Sequence, residues 1–266
     1  MKIRIIIPII IVTILVLPGA LCAQEELRTQ IHVGMWWTSP DGGISYSPVG
    51  PTQFVDLDDN LGLDTQWEPM FRVKTELPNL PNLYFKVTPL SFDDTGTSNQ
   101  PFLFGDTVFL ADEAIDSELT LNIYDLALFY RTPLVELGGR SAINAEVGLD
   151  ARIITARAEL TQVDFGEDPS SFEVLDVSAR ENVVFPMVYA GLDMQATEML
   201  SLEAEFWGYA FRGEDLYSLI GRVSLDHFEP FLASIGYRAE IMDFDKDDLE
   251  IDANFMGPFI EVGFGF

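Results

Sequence analysis

The chain has 266 residues, 43 of them acidic and 15 basic, for a formal charge of −28; an acidic surplus of that size argues against a nucleic-acid partner. Its single cysteine, Cys22, leaves no disulfide framework. No Pro/Gly/Ser linker or low-complexity run divides it, so it reads as one domain without sequence repeats.

Residues 1–23 read as a secretory signal peptide: Lys2 and Arg4, an apolar run from Ile5 to Leu17, then small residues before Gln24. The run is short for a membrane helix and contains Pro8, and polar Gln24, Glu25 and Glu26 follow it, so cleavage after Ala23 or Cys22 is expected. Leu21 stands before Cys22 where a lipoprotein signal wants a small residue. Without Lys2 and Arg4 the mature chain, residues 24–266, has a charge of −30.

The mature chain then alternates strand-like segments with turns. Leu27 to Trp37 is the first strand, with Ile31, Val33, Met35 and Trp37 on a lipid-suited face. A polar loop is expected from Ser39 to Asp64. Gln66 to Glu76 sets Trp67, Pro69, Phe71 and Val73 against Glu68, Met70, Arg72 and Lys74; after the turn Leu77 to Asn82, Leu83, Phe85 and Val87 face outward. Asp93 to Ala114 reads as a second long loop with a strand-like return at Thr107 to Ala111.

The fourth strand, about Ile115 to Thr132, changes face: Leu119, Leu121 and Ile123 lie on one side, Leu126, Leu128 and Tyr130 on the other, which predicts a bulge near Tyr124 and Asp125. A similar phase change is expected in the fifth strand, which starts at Ser141, at Ile153 and Ile154. Thr161 to Asn182 reads as a third long acidic loop. Strands through Val184 to Leu192, Leu202 to Tyr209, Tyr217 to Leu225 and Phe231 to Ile241 follow, and Met242 to Asn254 is expected as a last acidic loop.

The closing strand, Phe255 to Phe266, puts Ile260, Val262, Phe264 and Phe266 on one face and ends on an aromatic residue. In hydrocarbon it must pair on both edges, so its second neighbour should be the first strand. This ending looks like the carboxy-terminal signal by which outer-membrane barrels are recognised by the insertion machinery. The expected fold is all-β: a transmembrane antiparallel up-and-down barrel of about ten strands, with eight or twelve as alternatives. Alternating long and short connections place both termini in the periplasm and the long acidic loops outside.

Three stretches carry a family resemblance: Asp56-Leu57-Asp58-Asp59-Asn60-Leu61-Gly62-Leu63-Asp64, Leu77-Pro78-Asn79-Leu80-Pro81-Asn82, and Asp116-Ser117-Glu118-Leu119 leading to Tyr124-Asp125-Leu126-Ala127-Leu128-Phe129-Tyr130. They resemble a family of small Gram-negative outer-membrane β-barrel proteins of unassigned activity. The resemblance implies the barrel and its location, and brings no catalytic residue.

A barrel of this size has a narrow interior. The alternation turns Arg28, Arg72, Lys74, Lys86, Arg152, Arg222 and Arg238 inward, together with Glu68, Glu76, Glu146, Asp150, Asp193, Glu203, Glu205 and Glu240. A paired, largely plugged lumen and a narrow passive pore are the two readings of this set. The only histidines are His32, within the first strand, and His227, in an expected periplasmic turn, so an outer-membrane protease or lipid A modifying enzyme is the weaker alternative. No residue pattern calls for a cofactor or a metal centre. The expected partners are outer-membrane lipids and lipopolysaccharide, with divalent cations at the acidic loops (Asp56, Asp58, Asp59, Asp64; Asp243, Asp245, Asp247, Asp248) as an alternative role. Asp243, Asp245 and Asp247 have calcium-loop spacing, but Asp248 stands where Gly is required and Asn254 where a bidentate Glu belongs.

Overall fold

The computed structural model describes residues 28–48, 53–137, 140–164, 173–197, 199–228, 230–246 and 248–266; the segment expected to be a signal peptide, residues 1–23, lies outside these. In chain order the strands are β1 (Arg28–Tyr46), β2 (Val55–Asp56), β3 (Gln66–Glu76), β4 (Asn82–Thr97), β5 (Phe102–Phe104), β6 (Thr107–Phe109), β7 (Ala114–Leu137), β8 (Arg140–Asp164), β9 (Glu173–Gln195), β10 (Leu200–Phe211), β11 (Glu214–Phe228), β12 (Phe231–Lys246) and β13 (Leu249–Gly265). Neighbours pair antiparallel in the order β13-β12-β11-β10-β9-β8-β7-β4-β3-β1, and β13 returns to β1, closing a ten-stranded barrel. The closing register runs from Gln30 opposite Gly265 to Tyr46 opposite Leu249. β2 lies against β1 at Gly43 and Ile44, and β5 with β6 forms a separate hairpin.

Outward-facing Val33, Trp37, Trp67, Leu126, Leu128, Val147, Val188, Ile235, Ile260 and Val262 are exposed and form an apolar belt, the surface pattern of a membrane barrel. Aromatics border it: Trp37 stacks on Trp67 at 5.9 Å, Phe206 on Tyr217 at 6.2 Å, and Phe264 meets Phe231 and Phe266 at 5.7 and 6.0 Å. The closing-strand set Ile260, Val262, Phe264 and Phe266 is part of this belt.

Neither the bulge at Tyr124 and Asp125 nor the phase change at Ile153 and Ile154 exists. The β7–β8 ladder is in register throughout that region, with Tyr124 opposite Ile153 and Asp125 opposite Arg152. Leu119, Leu121 and Ile123 continue the inward face of Asp125, Ala127 and Phe129 and are buried; so are Ile154, Ala156, Ala158 and Leu160 beyond Arg152. The face does not change; its chemistry does. Near the termini the outside is apolar and the inside charged, whereas toward the opposite end the outside is polar and the inside is an apolar core.

The expected loops are shortened accordingly. β1 runs on to Tyr46, β4 to Thr97 and β8 to Asp164, and β9 begins at Glu173. The segment Met242 to Asn254 is mostly strand, with Met242, Phe244, Leu249, Ile251 and Ala253 buried and Asp243 and Asp252 outside. The strand-like return in the second loop is the short β6, paired with β5. What remains of the first loop folds inward: Val55, Leu57, Leu61 and Leu63 are all buried and pack in one core with Leu90, Phe92, Phe102, Phe104 and Phe109. This cluster fills the barrel across the end remote from the termini.

Candidate functional site

Below the apolar core the strands nearer the termini bring their inward charges together in three groups. In the first, Arg152 on β8 donates to Asp125 on β7 at 2.6 Å and to Glu240 on β12 at 2.8 Å. Lys86 on β4 lies 3.2 Å from the other Asp125 oxygen. Arg238 binds Glu240 through Nε and Nη2 at 2.9 and 2.6 Å and donates to the Thr88 hydroxyl, while the Ser218 hydroxyl donates to the same carboxylate at 2.6 Å. Two rings flank this layer: the Arg238 guanidinium sits 4.6 Å from the Trp36 ring centre and the Lys86 ammonium 3.8 Å from that of Trp207.

The second group centres on Arg222, which reaches Glu203 at 2.7 Å, Glu205 at 3.1 Å and Glu261 at 3.7 Å. Arg72 Nε binds Glu261 at 3.1 Å, and its Nη2 lies 3.3 Å from His32 Nδ1. A guanidinium only donates, so Nδ1 accepts and the imidazole proton belongs on Nε2. Lys74 binds Glu146 at 2.7 Å, and that carboxylate also accepts from the Tyr189 hydroxyl at 2.5 Å. Tyr84 donates to Glu205 at 3.2 Å.

The third group lies at the barrel mouth beside the termini. Arg131 joins Glu76 to Asp193, which also accepts from Asn144. A cavity of about 60 Å³ lies here, lined by residues that include Arg28, His32, Lys74, Glu76, Arg131 and Glu203. In the first two groups these are charge-assisted bonds between buried side chains, where removing one partner leaves the other uncompensated; the third group is partly exposed.

Of the fifteen lumen residues named from the alternation, Arg72, Lys74, Glu76, Lys86, Glu146, Arg152, Asp193, Glu203, Glu205, Arg222, Arg238 and Glu240 enter ion pairs. Three depart from the expectation. Arg28 is exposed at the mouth because β1 is only beginning there. Glu68 and Asp150 are buried, but no ion pair within 4.0 Å reaches them among the described residues; Glu68 accepts the Ser91 N–H instead. Asp125, Arg131 and Glu261 were missed. A bulge at Asp125 takes that residue out of the inward alternation; Arg131, inward with or without the bulge, and Glu261, on the non-lipid side of the closing strand, are not in the set drawn from the alternation.

The acidic loop residues do not assemble as a calcium loop. Asp243 and Asp245 alternate along β12, as a strand requires; Asp247 lies outside the described residues. Asp56 accepts the Asp58 and Asp59 N–H groups at 3.0 and 2.8 Å, so its carboxylate holds the turn. Among the described residues no three His, Cys, Asp or Glu side chains are grouped to hold a metal ion. β11 runs to Phe228, which carries position 227 to the terminal end of the barrel.

Neither a protein-family model nor a curated protein sequence matches the chain. Among solved structures, the outer membrane protease OmpT from Escherichia coli superposes with a TM-score of 0.55 at 9% identity, covering 90% of this chain and 97% of that one. Ail, the attachment invasion locus protein of Yersinia pestis, gives 0.39 at 10% identity over 91% and 100%, and the neisserial surface protein A 0.33 at 12% over 91% and 100%. The likeness to OmpT is one of fold: a closed antiparallel barrel of the outer-membrane kind.

Proposed function

We propose that this protein is a sealed barrel of the bacterial outer membrane, a structural or surface-interaction protein rather than a passive pore or an enzyme. The observation that carries this reading is the apolar cluster across the remote end, where Leu57, Leu61, Phe92 and Phe104 are at most 1% exposed. Conduction needs a continuous wet path, and this packed layer stands across it above a lumen already filled by ion pairs.

Both termini and the short connections lie in the periplasm on this reading, and the tall, polar ends of β7, β8 and β9 stand outside the cell. The apolar belt meets lipid and lipopolysaccharide, and the closing strand, through Ile260, Val262, Phe264 and Phe266, meets the insertion machinery. Divalent cations at the acidic outer surface would bridge it to lipopolysaccharide phosphates. An enzyme of the protease kind would need a histidine at the cell surface, and the course of β11 supports the opposite placement for His227.

Cysteines introduced singly at Arg212, in the β10–β11 turn, and at Leu80, in the β3–β4 turn, test location and orientation together. A membrane-impermeant thiol reagent on intact Gram-negative cells is expected to label the first and spare the second. Labelling of the second alone would invert the topology.

A further inference from the structure

Two seams of the barrel wall are incomplete among the described residues: β9–β10, whose ladder ends at Gly208 opposite Val188, and β3–β4, where the break falls on a facing pair of prolines. The β3–β4 ladder runs from Thr75 opposite Leu83 only to Phe71 opposite Val87, although β3 continues back to Gln66 and β4 on to Thr97. On their other edges both strands stay paired past this point: β3 with β1 as far as Gln66, and β4 with β7 as far as Thr97.

Extending the interrupted register sets Pro69 opposite Pro89. Two residues along β4, the Ser91 N–H points to β3, where the Glu68 carboxylate accepts it at 3.1 Å. Alternate residues present their N–H groups to the same edge, so position 89 faces β3 as well. A facing pair on that edge exchanges two N–H···O bonds, and neither proline has the donor. Side chains bridge what the backbone cannot: Glu68 to Ser91, and the Gln66 amide to the Asp93 carbonyl at 3.2 Å.

On the outer face, from this break across β1 to the closing strand, lies an apolar groove of about 580 Å³, bordered by Pro69, Phe71, Val87, Pro89, Met35 and Ile260. That is the size of a small-molecule pocket, roughly 300–1,000 Å³. It is continuous with the apolar belt, so its occupant comes from the membrane.

We infer, resting on the membrane reading above, that the Pro69/Pro89 seam is a docking site for one acyl chain of a membrane lipid, seated in this groove along the unpaired edges of β3 and β4. The test uses the full mature chain refolded into phosphatidylcholine vesicles that carry a trace of phosphatidylcholine with a diazirine on its acyl chain. After irradiation, adducts mapped by mass spectrometry are expected on Pro69 to Phe71 and Val87 to Pro89 at several-fold the level on Leu219 to Val223 of β11, across the barrel.

Pro69→Val with Pro89→Val restores both donors, lets the ladder close and is expected to bring seam labelling down to the level of the belt. Either single substitution, restoring one donor, serves where the double variant does not refold. Uniform labelling around the belt, or seam labelling unchanged in the variants, overturns the docking site and leaves the membrane reading standing. An adduct-free belt overturns both.

Discussion

Gly62 in the first loop and Gly96 on β4 meet backbone to backbone: a side-chain carbon on Gly62 would lie 3.0 Å from the Gly96 Cα, and one on Gly96 would overlap the Asn60 carbonyl. Gly62 has φ of 70°, the left-handed region that glycine enters at no steric cost. The close approach seats the turn from Asp56 to Leu63 flush on the barrel wall, with Asn60 also donating to the Ser98 hydroxyl at 3.2 Å. This gives a structural role to the loop that carries the family resemblance.

Gly96→Val is therefore expected to lift that turn and expose Leu61. The cost is at least about 2 kcal/mol, the order of one buried leucine. Urea unfolding of the refolded barrel measures it, and an unchanged midpoint would mean the turn is not anchored there.

Arg152 and Arg157 provide a contrast on one strand. Arg152 is fully buried between Asp125 and Glu240, and Arg152→Met should cost about 3–5 kcal/mol because two buried carboxylates each lose one of their cationic partners. Arg157 lies on the outer face, paired with Glu159 in solvent, and Arg157→Met should leave the unfolding midpoint where it is. Equal effects from the two would contradict the division between a dry interior and a solvated exterior.

The ten crossing strands were legible because each carries several outward apolar residues at period two between turn residues. The upper halves were not. Leu119, Leu121 and Ile123 are as apolar as Leu126, Leu128 and Tyr130, and period alone cannot tell a lipid face from a core face. Where a strand leaves the belt for water its outer face must become polar, and its inner face then becomes the apolar one. The same reversal hid strand in the acidic loops: Asp243 and Asp245 read as loop residues, although Met242 and Phe244 between and before them point into the core. Most lumen charges were legible, since Arg72, Lys74 and Arg222 sit opposite clear outward residues; Asp125 was lost to the supposed bulge, and Arg131 was inward by the alternation but not named.

On the outer surface at the remote end, Asp215, Asp243 and Asp252 stand side by side across β11, β12 and β13. Partial burial, then Asp252 and Asp215, push the Asp243 carboxyl above its ordinary range. Its pKa is higher folded than unfolded, so the ionised form opposes folding, and stability is regained as pH falls through the folded value. Asp243→Asn is expected to raise the unfolding midpoint at neutral pH and to lose that advantage in acid. An advantage independent of pH would point to something other than charge.

Arg72→Ala and Glu146→Ala each break a buried pair, with Glu261 and Lys74 respectively losing a partner. Both are expected to lower stability by about 3–5 kcal/mol without opening the barrel, because the seal lies in the apolar layer above. Denaturant midpoints of the two variants check the first half of this; conductance checks the second.

Single-channel recording of the refolded wild type in a planar bilayer, with Arg72→Ala, Glu146→Ala and Gly96→Val alongside, bears most directly on the sealed lumen. The expected record is a silent wild type, silent charge variants, and openings only in Gly96→Val, where the apolar seal is lifted. Steady openings in the wild type would show a continuous wet path through the barrel and contradict the seal.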